Sequence, residues 1–469
     1  MSASGKGAAG PPRQLLHGHA AAGTLLAAGR ARDALVFAAG AAAAVALVVL
    51  LAPATAPSSL WPGVGGGDPF PATPESTTRT FYDDPKLSYA VPVGGGVEGA
   101  RRVTNWDAKR AAWLRSRGLS PTSPSVASRV VMVSGSKPEP CRDSGGDHLL
   151  LRFLKNKLDY CRLHPNVELL YNRNLLHPSM PSYWAKIPAV RAAMLAHPDA
   201  EWVWWVDADA VFTDMDFALP LDRYADGGHN LVVYGWEKEV YERRSWLGLN
   251  AGVFLIRNCQ WSLDLMDAWA AMGPASPEYM RWGKTMKKEM AGKPTEEADD
   301  QSALVYLLSA DPERWGQKTL VACDYYFQGY WVGIVDQLDG VAARYDAVEA
   351  RDQAGGLRRR HAEREHLRYA AARNAAVRAP GGVPGPDGGG EHGWRRPFVT
   401  HFTGCSPCDA RWRNPAFSAE SCDQGMRRAL DFADDQVLRA YGFRHAALGN
   451  DSVRPLPFDY PAAATERKS

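Results

Sequence analysis

Short apolar runs alternate with amphipathic stretches along most of the chain after residue 126. The runs are rich in β-branched and aromatic residues, which favours strands, and the stretches between them carry apolar residues at helical spacing. Predicted strands are Arg129–Val133, Val167–Tyr171, Trp202–Val206, Leu231–Tyr234 and Val253–Ile256, and predicted helices include Asp147–Arg162 and Trp184–His197. This alternation predicts an α/β fold with a mostly parallel sheet and helices on both faces.

The predicted strand Trp202–Val206 runs directly into two carboxylates, Asp207 and Asp209. A strand this apolar is typical of one buried on both faces. A carboxylate is rarely buried without a partner, because removing its charge from water is costly, and ligands of open α/β sheets bind at the carboxyl ends of strands. The pair therefore predicts two oxygen ligands for Mn²⁺ or Mg²⁺. The alternative is that the two aspartates only cap a turn.

Three further polar clusters stand at the ends of predicted elements. Small residues around Asn250 permit close approach of a ligand to the backbone. Asp299, Asp300 and Gln301 open an apolar helix, where they act either in chemistry or as ordinary caps. His401 follows a strand-like run, and its imidazole either completes a metal site or is structural.

The N-terminal region predicts a membrane anchor. Residues 34–52 form an uncharged apolar run long enough to span a bilayer. Basic residues precede this run and none follows until Arg79, which predicts a cytosolic tail at 1–33 and a lumenal remainder. A cleaved signal peptide ending near Ala56 is the alternative, and it also places the remainder in the lumen.

Composition divides the rest of the chain. Residues 53–125 are rich in Pro, Gly, Ser and Thr, which predicts a flexible stem before a catalytic domain at 126–460. Residues from about 342 to 396 interrupt that domain with a basic cluster and a glycine-rich tract, and we interpret them as a flexible insertion. The 54 basic and 52 acidic residues nearly balance, so no field favours nucleic acid as a partner.

Seven cysteines are too few for a disulfide scaffold. In an oxidising lumen a structural disulfide is the best interpretation of Cys405 and Cys408, ahead of a redox pair or half a zinc site. Cys141 and Cys161 are candidates for a second disulfide. Asn450 opens a glycosylation sequon, which fits a lumenal surface loop.

Taken together, these motifs resemble plant glycosyltransferase family 34, which contains galactomannan galactosyltransferases and xyloglucan xylosyltransferases. The resemblance runs from Val130 to Tyr460, apart from the insertion, and the tail is closer to the galactomannan branch. The motifs that carry it are Gly145–His148, Lys155–Arg162, Tyr183–Lys186, Asp207–Asp209, Gly248–Gly252, Gln260–Asp264, Asp299–Ser302 and His401–Cys408.

The resemblance implies a GT-A fold, in which a Rossmann-like nucleotide-sugar half is joined to an acceptor half. It further implies a UDP-galactose or UDP-xylose donor, Mn²⁺ or Mg²⁺, and retention of anomeric configuration. The product would be an α-1,6 branch on β-1,4-mannan or β-1,4-glucan. Such enzymes are single-pass type II proteins of the Golgi apparatus membrane, and homo- or hetero-oligomers of related transferases are an open alternative to a monomer.

By position, the resemblance also assigns residues. Asp207, Asp209 and His401 match the metal ligands, and Asp299, Asp300 and Gln301 match residues at the reaction centre. The matches to the donor-binding residues are Gly135, Ser136, Lys186, Asp207, Asn250 and Gly404. Many family members carry a lysine near the diphosphate where this chain has Ser406, so that contact is in question here.

Several alternatives stay open on sequence alone. A catalytically weak scaffold subunit of a Golgi complex would not need the intact aspartates and His401. A lectin that stacks sugars on tryptophan would leave the paired carboxylates unexplained. Within the enzyme class, galactose and xylose differ by one hydroxymethyl group, which pocket shape decides. For retention we favour same-face attack over double displacement, because no carboxylate is marked out as a nucleophile.

Overall fold

The computed structural model describes residues 103–137, 139–142, 144–172, 181–323, 325–352, 396–409, 411 and 413–456. The predicted anchor at 34–52, most of the stem and most of the insertion lie outside these residues. Within the described residues, no helix combines the length and apolarity needed to cross a membrane.

The described chain alternates strands and helices. The strands are β1 (Val130–Gly135), β2 (Val167–Asn172), β3 (Trp202–Val206), β4 (Ala210–Phe212), β5 (Leu231–Gly235), β6 (Leu249–Arg257), β7 (Thr319–Ala322), β8 (Gly329–Tyr330), β9 (Val399–His401), β10 (Phe443–His445) and β11 (Val453–Pro455). The α-helices are α1 (Trp106–Ser116), α2 (Pro124–Ala127), α3 (Ser144–Leu163), α4 (Lys186–Ala196), α5 (Leu221–Asp226), α6 (Gln260–Ala270), α7 (Tyr279–Glu289), α8 (Asp300–Ala310), α9 (Leu338–Asp352) and α10 (Ala419–Leu438). Short 3-10 segments occupy Ser182–Ala185, Gly316–Lys318, Trp331–Gly333, Val335–Gln337 and Arg439–Tyr441, and Lys238–Glu242 is a π-helical turn.

A six-stranded sheet in the order β2-β1-β3-β6-β5-β7 forms the centre of the fold. β1 pairs in parallel with β2 and β3, and β5 pairs in parallel with β7. β6, however, runs antiparallel to both of its neighbours, β3 and β5. The sheet is therefore mixed, with parallel pairs in the majority as predicted. The segment between β5 and β6 contains no crossover α-helix, and a direct connection of this kind reverses the chain.

Two apolar layers cover the two faces of this sheet, which confirms the α/β architecture. Alternate residues of β3 point to opposite faces: Trp204 packs in the layer that includes α3 and α10, and Trp205 packs in the layer that includes α4, α6 and α8. All five residues of β3 are buried. The aromatic strand is thus scaffold.

A smaller three-stranded sheet, β4-β9-β8, extends from this centre. β4 begins after the Asp207–Asp209 turn and pairs with β9, with Ala210 opposite His401. β8 pairs with the other side of β9, with Tyr330 opposite His401. This register brings β9, which lies late in the chain, to the end of β3.

The folded part begins earlier than the composition indicates. α1 lies inside the predicted flexible stem, yet its Trp106 is buried and donates from Nε1 to Asn258 Oδ1 at 2.8 Å. Arg110 in the same helix forms a buried ion pair with Glu201 at 2.9 Å. Residues from Val103 to 125 therefore belong to the domain. Their average composition is polar, but the buried Trp106 and the Arg110–Glu201 ion pair fix the segment to the rest of the fold.

Similarly, the first residues of the predicted insertion are ordered. α9 continues to Asp352, and Tyr345 within it is buried. Arg396, where the described chain resumes, is also buried and lies over the Tyr345 ring, with 3.9 Å from the guanidinium carbon to the ring centroid. The two ends of the insertion are thus fixed to each other.

Both cysteines of the Cys405–Cys408 motif form disulfides, but not with each other. Cys405 is bonded to Cys422 in α10, and Cys408 to Cys141. The expected Cys405–Cys408 and Cys141–Cys161 pairs are therefore wrong, and Cys161 is a free thiol. Left-handed backbone at Gly404 (φ 88°) and Ser406 (φ 46°) bends the chain around Cys405, so the two cysteines meet different partners.

Candidate active site

Asp207, Asp209 and His401 come together at the carboxyl end of β3. His401 Nε2 lies 3.2 Å from Asp209 Oδ1 and 3.6 Å from Asp207 Oδ2. One ligand atom from each of the three residues lies within 4.8 Å of the others. Two carboxylate oxygens and an imidazole nitrogen at this spacing form a donor set that suits a divalent cation.

Gly252 in β6 allows this closeness. Its backbone carbonyl accepts from the Asp207 amide at 2.8 Å. A Cβ built on Gly252 would collide with the His401 ring and would lie 2.7 Å from Asp207 Oδ2. The small residue that the sequence pattern singled out is therefore required by the packing of two predicted ligands. Asn250 lies beside it and accepts from the Gly252 amide at 2.8 Å.

Lys186 links the carboxylate pair to the turn before α8. The lysine is buried, and its Nζ lies 2.7 Å from Asp300 Oδ2 and 3.5 Å from Asp207 Oδ1 while donating to the Ala251 carbonyl at 3.0 Å. Burial alone would lower the pKa of Lys186, but Asp207 and Asp300 raise it, so the ammonium stays charged. Burial raises the pKa of Asp300 to about 6, against the opposing effect of Lys186.

Lys157 supports the Asp207–Asp209 turn from the opposite side. This buried residue of α3 donates from Nζ to the carbonyls of Ala208 at 3.1 Å and Ala210 at 2.9 Å. Burial lowers the pKa of Lys157 to about 7, against the opposing effect of Asp209 and Asp207. Sequence reasoning did not assign this residue to the site, although the Lys155–Arg162 motif contains it.

Asp299 and Gln301 have fixed partners on either side of Asp300. Asp299 is the N-cap of α8 and accepts from the Ser302 amide at 2.7 Å. Gln301 donates from Nε2 to the Trp246 carbonyl at 2.9 Å, and its Oε1 accepts from the Ala251 amide at 3.4 Å. The capping alternative thus describes the Asp299 carboxylate, whereas Asp300 faces Lys186 in the site.

The remaining predicted donor-binding residues lie at the end of β1, just after it, and in the loop after β9, and a disulfide joins these two regions. Gly135 ends β1, and Ser136 follows it; β1 is the parallel neighbour of β3, so both strands end at the same edge. Gly404 begins the loop after β9, and its φ of 88° favours glycine. The Cys141–Cys408 bond connects the segment after β1 to this loop.

The sequence did not indicate the two residues that contact Nδ1 of His401, Gln328 and Thr403. Gln328 Nε2 lies 3.2 Å from His401 Nδ1, and Thr403 Oγ1 lies 3.1 Å from the same nitrogen. Thr403 stands inside the His401–Cys408 motif, which was the available signal. Gln328 arrives through the pairing of β8 with β9, which no local pattern indicates.

A second acidic cluster does not resemble a metal site. Asp431, Asp434 and His445 also lie close together. Arg152, however, bonds Asp431 at 2.7 Å and Asp434 at 3.1 Å, and Lys155 bonds Asp434 at 2.9 Å. The cluster is an ion-pair network that fastens α10 to α3.

The sequence matches a known family over most of the described domain. The model of the galactosyl transferase GMA12/MNN10 family, glycosyltransferase family 34, matches residues 126–412. The chain belongs to glycosyltransferase family 34. Membership makes it a galactosyltransferase-like glycosyltransferase, and it implies a nucleotide-sugar donor and a glycan acceptor.

Plant members of family 34 are similar over most of their length. "Probable glycosyltransferase 6" of Oryza sativa subsp. indica is 60% identical over 495 residues, covering 99% of this chain and 98% of the relative. Galactomannan galactosyltransferase 1 of Cyamopsis tetragonoloba is 51% identical over 387 residues, covering 82% of each chain. Among solved structures, a glycosyltransferase involved in the glycosylation of the major capsid of PBCV-1 is 14% identical with a TM-score of 0.29, covering 42% of this chain and 83% of that one.

Proposed function

We propose that this family 34 chain transfers galactose from UDP-galactose to the 6-position of a β-1,4-linked mannan, with retention of configuration. The observation that carries the proposal is the convergence of Asp207, Asp209 and His401 beside Lys186. The 51% identity to a galactomannan galactosyltransferase favours galactose and mannan over the alternative, xylose on β-1,4-glucan.

The residues of the site fit a resident Mn²⁺ ion. Asp207, Asp209 and His401 would hold it, since their ligand atoms already converge and Gly252 leaves room for the ring and the carboxylate. A bound divalent cation neutralises the negative charge that develops on the leaving diphosphate. Lys186 and Lys157 fix the positions of the aspartates from two sides before any donor arrives.

Asp300 and Gln301 are proposed to steady the positive charge that develops on the donor sugar. Lys186 orients the Asp300 carboxylate, and two backbone bonds orient the Gln301 amide. Electrostatic groups fixed in advance stabilise a transition state without reorganising during the reaction. The positive charge that develops on the donor sugar would thus meet the Asp300 and Gln301 side chains in orientations that are already fixed.

For retention, we propose same-face attack, in which the leaving phosphate takes the proton of the acceptor hydroxyl. Asp299 is engaged by Ser302 and Lys293, and Asp300 by Lys186, so each carboxylate already has a partner. A glycosyl adduct trapped on Asp299 or Asp300 by a slow donor analogue would contradict this mechanism.

We also propose a Golgi location with the catalytic domain in the lumen. The apolar run at 34–52 and the charge bias around it support this topology, as do the two disulfides, which form in oxidising compartments. Asn450 is exposed, as an acceptor for glycosylation must be. Digestion with an N-glycosidase should increase the mobility of the wild type and leave Asn450→Gln unchanged.

The activity is tested with the full-length chain, Mn²⁺, and either UDP-galactose or UDP-xylose. Manno- and cello-oligosaccharides serve as acceptors, and products are identified by mass. A hexose added to manno-oligosaccharide, absent with Asp209→Asn, supports the proposal. A pentose added to cello-oligosaccharide would replace the proposed substrates, and no transfer or donor hydrolysis with either donor would favour the scaffold alternative.

A further inference from the structure

The contacts of His401 indicate which of its two ring nitrogens carries a hydrogen. In a neutral imidazole one nitrogen carries a hydrogen and the other accepts. As the side chains lie, His401 Nε2 is 3.2 Å from the Asp209 carboxylate, which only accepts. Nδ1 is 3.2 Å from Gln328 Nε2, which only donates. These two contacts agree with a hydrogen on Nε2.

A cation at Asp207 and Asp209 requires the opposite arrangement. Nε2 is the nitrogen that faces the two aspartates, so its lone pair must be free for the metal. The hydrogen must then stand on Nδ1 and find an acceptor there, as in most metal-bound histidines. The ring carries the same number of hydrogens in both arrangements, because one leaves Nε2 and one joins Nδ1.

Both neighbours of Nδ1 can serve either arrangement. Thr403 Oγ1, at 3.1 Å, is a hydroxyl that donates or accepts. The amide of Gln328 carries a donor on one atom and an acceptor on the other, and a half-turn about its last carbon–carbon bond exchanges them. Gln328 is buried, and it immediately precedes Gly329, whose strand pairs with β9. It is therefore held against the ring in both arrangements.

We propose that Gln328 and Thr403 are positioning residues that choose which nitrogen of His401 carries the hydrogen, and so set the affinity of the site for a divalent cation. Without the cation, Gln328 donates to Nδ1 and Nε2 donates to Asp209. With the cation, Nδ1 donates to Thr403 Oγ1 or to the turned Gln328 amide. This inference rests on the proposed metal site and adds to it a pair of residues that regulates its occupancy.

Gln328→Glu and Thr403→Val should change the Mn²⁺ affinity in opposite directions, which a purely structural role of the two residues does not predict. Gln328→Glu offers only an acceptor to Nδ1, which holds the hydrogen there and frees Nε2 for metal. Gln328→Met has similar length but neither donates nor accepts strongly. Thr403→Val removes the hydroxyl at almost constant volume, and Thr403→Ser keeps it.

The test is calorimetric titration of the full-length chain with Mn²⁺ alone, at one fixed pH for all variants. Thr403→Val should bind Mn²⁺ about 10-fold more weakly than wild type, because it loses the hydroxyl that accepts the Nδ1 hydrogen. Gln328→Met removes the donor that opposes metal binding and leaves Thr403 in place, so it should bind no more weakly than wild type. Thr403→Ser should stay close to wild type, and Gln328→Glu should bind more tightly. Thermal unfolding without metal identifies any variant that does not fold. The Mn²⁺ affinities of the remaining variants then test the inference.

Two results would overturn the inference, and a third separates it from the proposed function. Wild-type affinity in Thr403→Val, or weaker binding in a folded Gln328→Glu or Gln328→Met, contradicts the role of Nδ1. Wild-type affinity in His401→Ala contradicts the metal site itself, whatever the other variants show. Loss of binding in His401→Ala with no effect at positions 328 and 403 refutes only the inference.

Discussion

His401 Nε2 lies 3.2 Å from Asp209 Oδ1, although the two residues are far apart in the chain. The contact depends on the β4–β9 pairing, which sets Ala210 opposite His401 just after the Asp207–Asp209 turn. β3 thus supplies the carboxylates and β9 supplies the imidazole. The candidate site therefore exists only when the small sheet has docked against the large one.

Replacing Lys157 should destabilise the Asp207–Asp209 turn, whose backbone it holds. Lys157→Met leaves the half-buried carbonyl of Ala208 and the buried carbonyl of Ala210 without their donor, a loss of about 1–3 kcal/mol in the free energy of unfolding. Urea unfolding measures it, and the Mn²⁺ affinity should fall as well. Lys155→Met is the matched control on the same helix, because the Lys155 side chain is 51% exposed and its ion pairs contribute less than about 1 kcal/mol. Equal effects of the two substitutions would contradict the role of Lys157.

The Lys186–Asp300 pair should be costly to break from one side. Lys186→Met leaves a buried carboxylate unpaired, which lowers the free energy of unfolding by about 3–5 kcal/mol. Burial already raises the pKa of Asp300 to about 6, so protonation at lower pH should relieve part of the loss. The double variant Lys186→Met, Asp300→Asn should recover stability but not activity. A double variant as unstable as Lys186→Met would count against the pairing.

His445 should make stability depend on pH. The hydrogen bond to Asp435 raises the pKa of His445 above its ordinary value, with burial opposing. Because the folded pKa is the higher one, the stabilisation is complete below the unfolded pKa of about 6.5 and is lost as pH rises through the folded pKa. Urea unfolding should therefore show a larger deficit for His445→Gln near pH 6 than near pH 9. A deficit that does not change with pH would contradict this.

The Cys141–Cys408 disulfide should matter for donor binding. It joins the segment after β1 to the loop after β9, and both carry predicted donor-binding residues. The double variant Cys141→Ser, Cys408→Ser should unfold more easily by about 2–4 kcal/mol and show a raised KM for the UDP-sugar. Cys323→Ser is the control, since Cys323 is exposed and free. An unchanged KM in the double variant would show that the two loops keep their places without the bond.

Local patterns predicted the features that depend on neighbouring residues. The β3 strand and its two carboxylates follow from one continuous apolar run, and the capping role of Asp299 follows from its place before an apolar helix. The direction of β6 was beyond such patterns, because it depends on which strand becomes its neighbour. The sequence did not predict α1 as part of the domain, because individual residues such as Trp106 fix this helix to the fold. The average composition of the segment does not reveal such contacts.

Long-range contacts explain the other differences. Cys405 and Cys408 each bond a cysteine outside their motif, and cysteine spacing alone does not determine connectivity. Gln328 reaches His401 only through the β8–β9 pairing. Lys157 is one of two lysines in its motif, and only the packing of α3 against β4 shows which of them contacts the Asp207–Asp209 turn.

The most direct test of the account is the dependence of UDP binding on Mn²⁺, measured by calorimetry in wild type, Asp209→Asn and the exposed control Asp222→Asn. The account predicts that wild type and Asp222→Asn bind UDP tightly only with Mn²⁺. Asp209→Asn should lose this dependence and bind at least about 10-fold more weakly, with its thermal unfolding still cooperative. Metal-dependent UDP binding of wild-type strength in Asp209→Asn would contradict the central claim.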